Sequence, residues 1–337
     1  MAIDTQITDL QDIRRDLRDR LREVSSTGIN DILDRWINTA LYDIHLDPGN
    51  NWPWAHRRGY LLTHAPYTTG SVSITAAART TVTGASTLWA TAVTGMGFNN
   101  ARAGGKMIFS GSNEVYEVSS VTNDTSIVLV NSWTGAALSA ATYTYFEDEY
   151  ALASDFLRPV DMQNFSLDWE IPFIGALEFR RRFPRNSIYG KPRTATLIQL
   201  GFSGSTTPRI RVVLNRAPDD EYSIPYHYIT SNLAVSSAGV EQAQLTADTD
   251  EPIIPLGFRH VIPLQVLINF YRDRKDDPRA VEAQAAYIDL MRRMKGTTNV
   301  GAEDRPRFQP NMSRYLRRGR AKYDGGSYFD ELRDRWR

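Results

Sequence analysis

The sequence predicts an α+β protein: a helical bundle core built from N- and C-terminal helices, carrying an inserted small antiparallel β-barrel or sandwich. A second, irregular β-rich region and an extended C-terminal tail complete it. Three observations predict this. Apolar residues recur at helical spacing near both ends of the chain. Gly, Ser, Thr, Ala and Val dominate from about Gly70 to Phe146, where short segments alternate apolar and polar. After Gly296 apolar content falls and basic residues accumulate. The expected boundaries are 1–66 for the N-terminal helical part and 67–147 for the inserted β-domain. They continue with 148–257 for the β-rich region, 258–296 for the C-terminal helical part and 297–337 for the tail.

The first helix follows from Ile3, Ile7, Leu10, Leu17, Leu21 and Val24, which share one face. Arg14 occupies the missing slot of that stripe and leaves the seam imperfect. Asp12, Arg15, Asp16, Arg18, Asp19 and Arg22 form the other face, read as solvated with weak local ion pairs. Ser25-Ser26-Thr27-Gly28 breaks the helix. A second runs through Ile29, Ile32, Leu33, Trp36, Ile37, Ala40, Leu41 and Ile44 and stops at Asp47-Pro48-Gly49-Asn50. Trp52-Pro53-Trp54 reads as a packed corner.

In the middle, Ser71–Thr75, Glu114–Val118 and Tyr143–Phe146 alternate strictly. Thr83-Gly84, Gly104-Gly105, Ser110-Gly111-Ser112 and Asn123-Asp124 read as turns. Further strands are expected at Ala195–Leu200, Arg209–Leu214 and Tyr226–Ile229, with a short helix over Ala176–Phe183 ended by Pro184. Helices return at Phe258–Arg274 and after Asp277, the candidate N-cap, with Pro278 at the first helical position and Gly296 past the end. Val281, Ala285, Ile288 and Met291 are expected to line the buried face of that last helix. Ser327 could cap a short terminal helix bearing Phe329, Leu332 and Trp336 on one side.

Lysine plus arginine total 39 and aspartate plus glutamate total 39, so no global charge draws the chain to nucleic acid or membrane. Cysteine is absent, which excludes disulfides and thiolate metal sites. No basic start followed by an apolar run is present, so no signal peptide is expected, and no uncharged stretch reaches the length of a membrane span. The tail holds ten basic and six acidic residues, a balance of +4, so the remaining 296 residues carry −4.

Motifs for chemistry are weak. His45, His56, His64, His227 and His260 form no HxxxH or HExxH spacing and read as structural or exposed. Gly104-Gly105-Lys106 lacks the upstream glycine of a phosphate loop. Gly95-Met96-Gly97 lacks the third glycine of a dinucleotide loop. Glu147-Asp148-Glu149 and Asp219-Asp220-Glu221 read as solvated turns rather than acid–base pairs. No GxSxG elbow occurs. The residues thus name no catalytic group, cofactor site or metal site, and the expectation is a non-enzyme. A glycan-binding or glycan-hydrolysing protein is the alternative, resting on Trp89, Trp133, Tyr143 and Tyr145. A DNA-binding reading has only the basic tail and would be nonspecific.

Two segments carry a family likeness. Glu147-Asp148-Glu149-Tyr150-Ala151-Leu152-Ala153-Ser154-Asp155-Phe156-Leu157-Arg158 follows the Gly/Thr-rich unit. Glu251-Pro252-Ile253-Ile254-Pro255-Leu256-Gly257-Phe258-Arg259-His260-Val261-Ile262 precedes the late helices. With the paired N-terminal helices and Trp52-Pro53-Trp54, the chain to about residue 296 resembles the head–tail adaptor (tail tubular A-like, or head-completion) proteins of tailed bacteriophages. Ala153 departs from the proline expected at that place.

The resemblance implies a homo-oligomeric ring of twelve copies beneath the portal protein, with a tail or nozzle protein below and double-stranded DNA passing without sequence-specific binding. It places the protein in the virion neck, made in the host bacterial cytoplasm. It also implies that the tail climbs onto the portal. Arg307, Arg314, Tyr315, Arg317, Arg318, Arg320, Tyr323, Phe329, Leu332 and Trp336 are the candidate portal-binding residues.

Overall fold

The computed structural model describes residues 6–21, 27–47, 52–164, 169–184, 188–199 and 210–298. The fold is mixed α+β, with five α-helices and several antiparallel sheets among the described residues. The chain divides into two compact units, one of residues 1–55 with 233–337 and one of 56–232. Among the described residues no helix is long and apolar enough to cross a membrane.

The first unit begins with α1 (Leu10–Leu21) and α2 (Thr27–Leu46). Asp9 opens α1 by accepting the Asp12 amide at 2.9 Å, so Ile7 lies ahead of the helix rather than on its first turn. α1 buries Leu10, Ile13 and Leu17, and α2 buries Leu33, Ile37, Ala40, Leu41 and Ile44. Trp52 is buried beneath the end of α2, where its indole N–H donates to the Ile44 carbonyl at 3.0 Å and its ring stacks on Trp54. That pair is the packed corner expected of Trp52-Pro53-Trp54.

The second unit opens with β1 (His56–Leu62), so strand begins before residue 66, the expected end of the N-terminal helical part. A curled, half-barrel sheet follows: β2 (Ser71–Ile74), β3 (Thr81–Ala85), β4 (Lys106–Phe109), β5 (Tyr116–Asn123), β6 (Ser126–Leu129), β7 (Leu138–Ala141) and β8 (Tyr143–Phe146). Its order is β7-β2-β3-β6-β5-β4-β8, antiparallel throughout. These strands lie inside the 67–147 boundaries, whereas the compact unit holding them is wider. Asn123-Asp124 forms the β5–β6 turn, and the Asn123 side chain accepts the Thr125 amide at 2.9 Å. Thr83-Gly84 is not a turn but the middle of β3, where Gly84 leaves room for Thr87. A Cβ there would lie 2.2 Å from the Thr87 hydroxyl.

The rest of the unit comprises β9 (Glu149–Ala151), β10 (Phe156–Asn164), β11 (Trp169–Glu170), α3 (Ala176–Arg182), β12 (Ala195–Gln199), β13 (Ile210–Leu214) and β14 (Ser223–Thr230). They form a four-stranded sheet, β1-β14-β10-β11, and a three-stranded sheet, β12-β13-β9. Leu61, Tyr150, Leu152, Met162, Ile224 and Tyr226 pack in their common core.

The chain then returns to the first unit through β15 (Ala234–Val235), β16 (Glu241–Gln242) and β17 (Glu251–Pro252), and ends in α4 (Val261–Asp273) and α5 (Asp277–Thr298). α4 packs on α1, α2 and α5. α5 begins at Asp277 itself and continues through Gly296, so the expected stop is overrun. Its buried face is Ala280, Ala283, Met291 and Met294. Of the stripe expected from the sequence only Met291 is buried: Val281 is 65% exposed, Ile288 48% exposed and Ala285 exposed too. The buried face lies against α4.

Gly59 of β1 lies directly across from Tyr226 of β14, and a Cβ at 59 would lie 2.3 Å from that buried ring. Tyr226 is held between Phe156 and Tyr228, so it cannot step aside freely. Gly59→Ala is expected to cost about 1–3 kcal/mol, measured as the shift of the chemical denaturation midpoint.

Candidate functional site

The ten expected portal-binding residues, Arg307 through Trp336, and the Ser327 cap lie outside the described residues. The two segments that carry the family likeness are described, and each forms a buried network of charge.

The acidic triplet Glu147-Asp148-Glu149 is not a solvated turn. Glu147 is 3% exposed and Asp148 0%. Arg102 grips Glu147 with a fork, Nε to Oε1 at 2.8 Å and Nη2 to Oε2 at 2.5 Å. The Tyr145 hydroxyl donates to the same carboxylate at 2.6 Å and accepts the Arg102 amide at 3.0 Å. Lys106 Nζ reaches Asp148 at 2.6 Å and Glu149 at 2.8 Å. Arg211 on β13 donates to the Glu149 carbonyl at 3.1 Å. Two cations, Arg102 and Lys106, therefore meet three carboxylates where β8 of the curled sheet passes into β9 of the three-stranded sheet, with Arg211 on a backbone carbonyl beside them. Gly104-Gly105 makes this approach possible. Gly104 sits at φ +83° beside the Arg211 guanidinium, and a Cβ on Gly105 would lie 2.1 Å from the Tyr145 hydroxyl. The expected reading of that pair, a turn entering a strand, holds, because β4 starts at Lys106.

The rest of the segment continues the pattern. The Tyr150 hydroxyl donates to the Glu147 carbonyl and accepts the His64 amide. Asp155 accepts the Tyr228 hydroxyl at 2.8 Å and the Thr230 hydroxyl at 2.7 Å. Ala153, where proline is expected, donates its amide to the Tyr226 hydroxyl at 3.0 Å. Proline has no N–H to give, so alanine is the residue that satisfies Tyr226.

The second segment is stitched by Arg259, which is 7% exposed. Its Nε donates to the Ile254 carbonyl at 3.0 Å, its Nη2 pairs with Glu251 at 2.9 Å and its Nη1 donates to the Thr8 carbonyl. Arg14 is a second such stitch. Rather than spoiling the seam of α1, it is buried at 8% exposure. It holds Asp34 through a fork at 2.5 and 2.6 Å and also pairs with Asp248. The amides of Leu10 and Gln11 donate to Asp250 and Asp248. Residues 8–14 and 248–259 are thereby joined across the length of the chain.

A groove of about 830 Å³ opens beside the charge cluster, with Phe146, Phe179, Phe183, Ile198 and Val213 among its apolar lining and Lys106, Glu149 and Glu117 among its polar one. Burial alone would pull the Lys106 pKa down, but Asp148 and Glu149 outweigh it and hold the ammonium protonated above its usual range. A lysine so held is a strut and not a general base. Among the described residues no group of three or more His, Cys, Asp or Glu is placed to hold a metal ion. Trp89, Trp133, Tyr143 and Tyr145, on which the glycan alternative rests, are all interior to the curled sheet. The Trp89 indole donates to Tyr143 at 2.8 Å. None offers a ring face to a sugar.

The chain matches no protein-family model and no curated protein. The sequence reading missed these networks because like charges side by side resemble a solvated loop. The partners of Glu147 and Asp148 stand more than forty residues upstream, at Arg102 and Lys106.

Arg102→Met is expected to leave Glu147 buried without its cation and to cost about 3 kcal/mol. The figure sits at the low end for a buried pair because Arg102 itself is partly solvated. A thermal melt should show the midpoint fall by about 6–12 °C. The pH dependence has a definite sign. Burial, and then the Glu147 charge, raises the Tyr145 pKa above its ordinary 10.0, while Asp148 and Glu149 raise that of Lys106 above 10.5. Both groups contribute stability that is complete below those ordinary values and is lost as pH rises through the folded-state values. The denaturation midpoint should therefore hold through neutral pH and fall in the alkaline range. A profile flat past 10.5 would contradict this account of Lys106.

Proposed function

We propose that the chain is a structural head-to-tail adaptor of a tailed bacteriophage. In this reading identical copies form a ring of twelve beneath the portal, continue the DNA channel and offer a platform to a tail protein below. The observation that carries the proposal is the joining of the chain's two ends by Arg14 and Arg259 into one helical unit, with residues 56–232 inserted between them. A part built this way has a helical platform and a β-rich insertion as a separate compact unit. The two segments that carry the likeness are the ones that supply the buried charge networks, so the likeness falls on residues the fold depends on. The finer picture of a helical bundle core that forms the ring wall belongs to this proposal. So does the tail as portal anchor, with Arg314, Arg317, Arg318 and Arg320 gripping an acidic surface and Tyr315 and Trp336 as apolar anchors.

Electron microscopy of the full chain mixed with portal protein should show a ring seated on the portal. Deleting residues 297–337 should leave a folded protein, by circular dichroism, that no longer joins the portal. Normal docking of the truncated chain would remove the tail from its assigned role. Turnover of glycans by the intact chain would favour the alternative.

A further inference from the structure

The chain is neutral overall, yet its charge is sharply segregated. Residues 171–217 contain nine basic side chains (eight arginines and Lys191) and one acidic one, Glu178, a balance of +8. The other 290 residues therefore carry −8, since the total is zero. Arg185 and Arg209 of this stretch lie outside the described residues; Arg211 is turned to the Glu149 carbonyl and Lys191 lies over the Trp169 ring, and the other five lie on or beside one layer. α3 packs on β12, which pairs with β13.

Arg180, Arg181 and Arg193 are exposed, and among the described residues no carboxylate lies within ion-pair distance of them. Arg182 has only the exposed Glu178, four residues away. Leu177 on the same helix is 66% exposed and Ile188 58%. Arg180, Phe179 and Phe183 supply one wall of the 830 Å³ groove.

Resting on the ring reading above, we infer that this basic lobe is the surface by which one copy of the chain holds the acidic remainder of the next. Charge complementarity names the occupant: the chain itself carries the −8 that would neutralise the lobe. A neutral chain with separated charge favours head-to-tail association, and a head-to-tail contact that closes makes a ring. Arginine in place of lysine suits carboxylates gripped by two nitrogens. The exposed leucine and isoleucine and the apolar groove gain by burial against a protein. Against a phosphate backbone they would gain nothing.

The test is the mass of the full chain in solution by light scattering, for wild type and for Arg180→Glu/Arg181→Glu/Arg193→Glu. These side chains are solvent-facing, and a matching thermal melt verifies the fold. Wild type should be a large oligomer at about 0.05 M salt and should dissociate towards about 1 M, where screening is complete within a few ångströms. The triple variant should stay a monomer at low salt, and the corresponding lysine variant should retain most of the assembly. A triple variant that assembles like wild type, or a salt-independent wild-type oligomer, overturns the inference and leaves the ring reading intact with its contact elsewhere. A wild-type monomer at low salt that still forms a ring on the portal also overturns it. Absence of a ring in both settings instead defeats the ring reading. A mixed-sequence DNA duplex provides the remaining arm. Binding lost in the triple variant with the oligomer unchanged would assign the lobe to phosphate and overturn the assignment to a second copy.

Discussion

Taking a carboxylate out of water costs several kcal/mol unless a cation and hydrogen bonds replace its hydration. Glu147 and Asp148 are both essentially buried, and the second unit is arranged around that requirement. Arg102 and Lys106 are delivered to them by the neighbouring strand β4, where Lys106 lies across from Phe146, and by the turn that precedes it. This sets where β4 begins and why two glycines precede it. It also ties β8 to β9 by charge as well as by chain continuity. Tyr145 adds a hydroxyl donor to the Glu147 carboxylate and Tyr150 one to the Glu147 backbone carbonyl, so the network extends beyond the ion pairs. Breaking any one pair leaves an uncompensated charge, whereas the apolar packing on either side loses only area.

The first unit solves a related problem with arginine alone. Arg14 and Arg259 each reach partners from distant parts of the sequence. Their donors are spread over a planar fork, so one side chain can hold several groups at once. A shorter or single-headed cation could not join residue 8 to residues 251 and 254 in this way. Through these two side chains residues 8–34 are joined to residues 248–259.

Both networks are built from buried, paired charge. Lys106 is held protonated by Asp148 and Glu149, and Arg102 and Tyr145 occupy the Glu147 carboxylate. The aromatics of the curled sheet are spent on its core. Among the described residues basic side chains predominate on α3 and around the β12–β13 pair, and apolar side chains are exposed on that helix and on α5. Surfaces of this kind serve contact with other macromolecules, in keeping with the part in an assembly proposed for the chain.

Local periodicity in the sequence determined the existence of α1, α2, α4 and α5, the strands at 71–74, 143–146 and 195–199, the short helix before Pro184 and the Asn123-Asp124 turn. Each follows from sterics and side-chain alternation within a few residues. The tertiary structure alone decided which face of α5 is buried, since α4 packs on the side bearing Ala280, Ala283, Met291 and Met294 and leaves Val281 and Ile288 exposed. It also decided that Thr83-Gly84 is strand, because the room that Gly84 leaves is claimed by Thr87 from outside the strand. It turned Arg14 from a flaw in a stripe into the centre of one network, and Glu147-Asp148-Glu149 from a supposed solvated loop into the centre of another. A buried charge is legible only together with its partner, and these partners lie between twenty and more than two hundred residues away in the chain, beyond the reach of any local pattern.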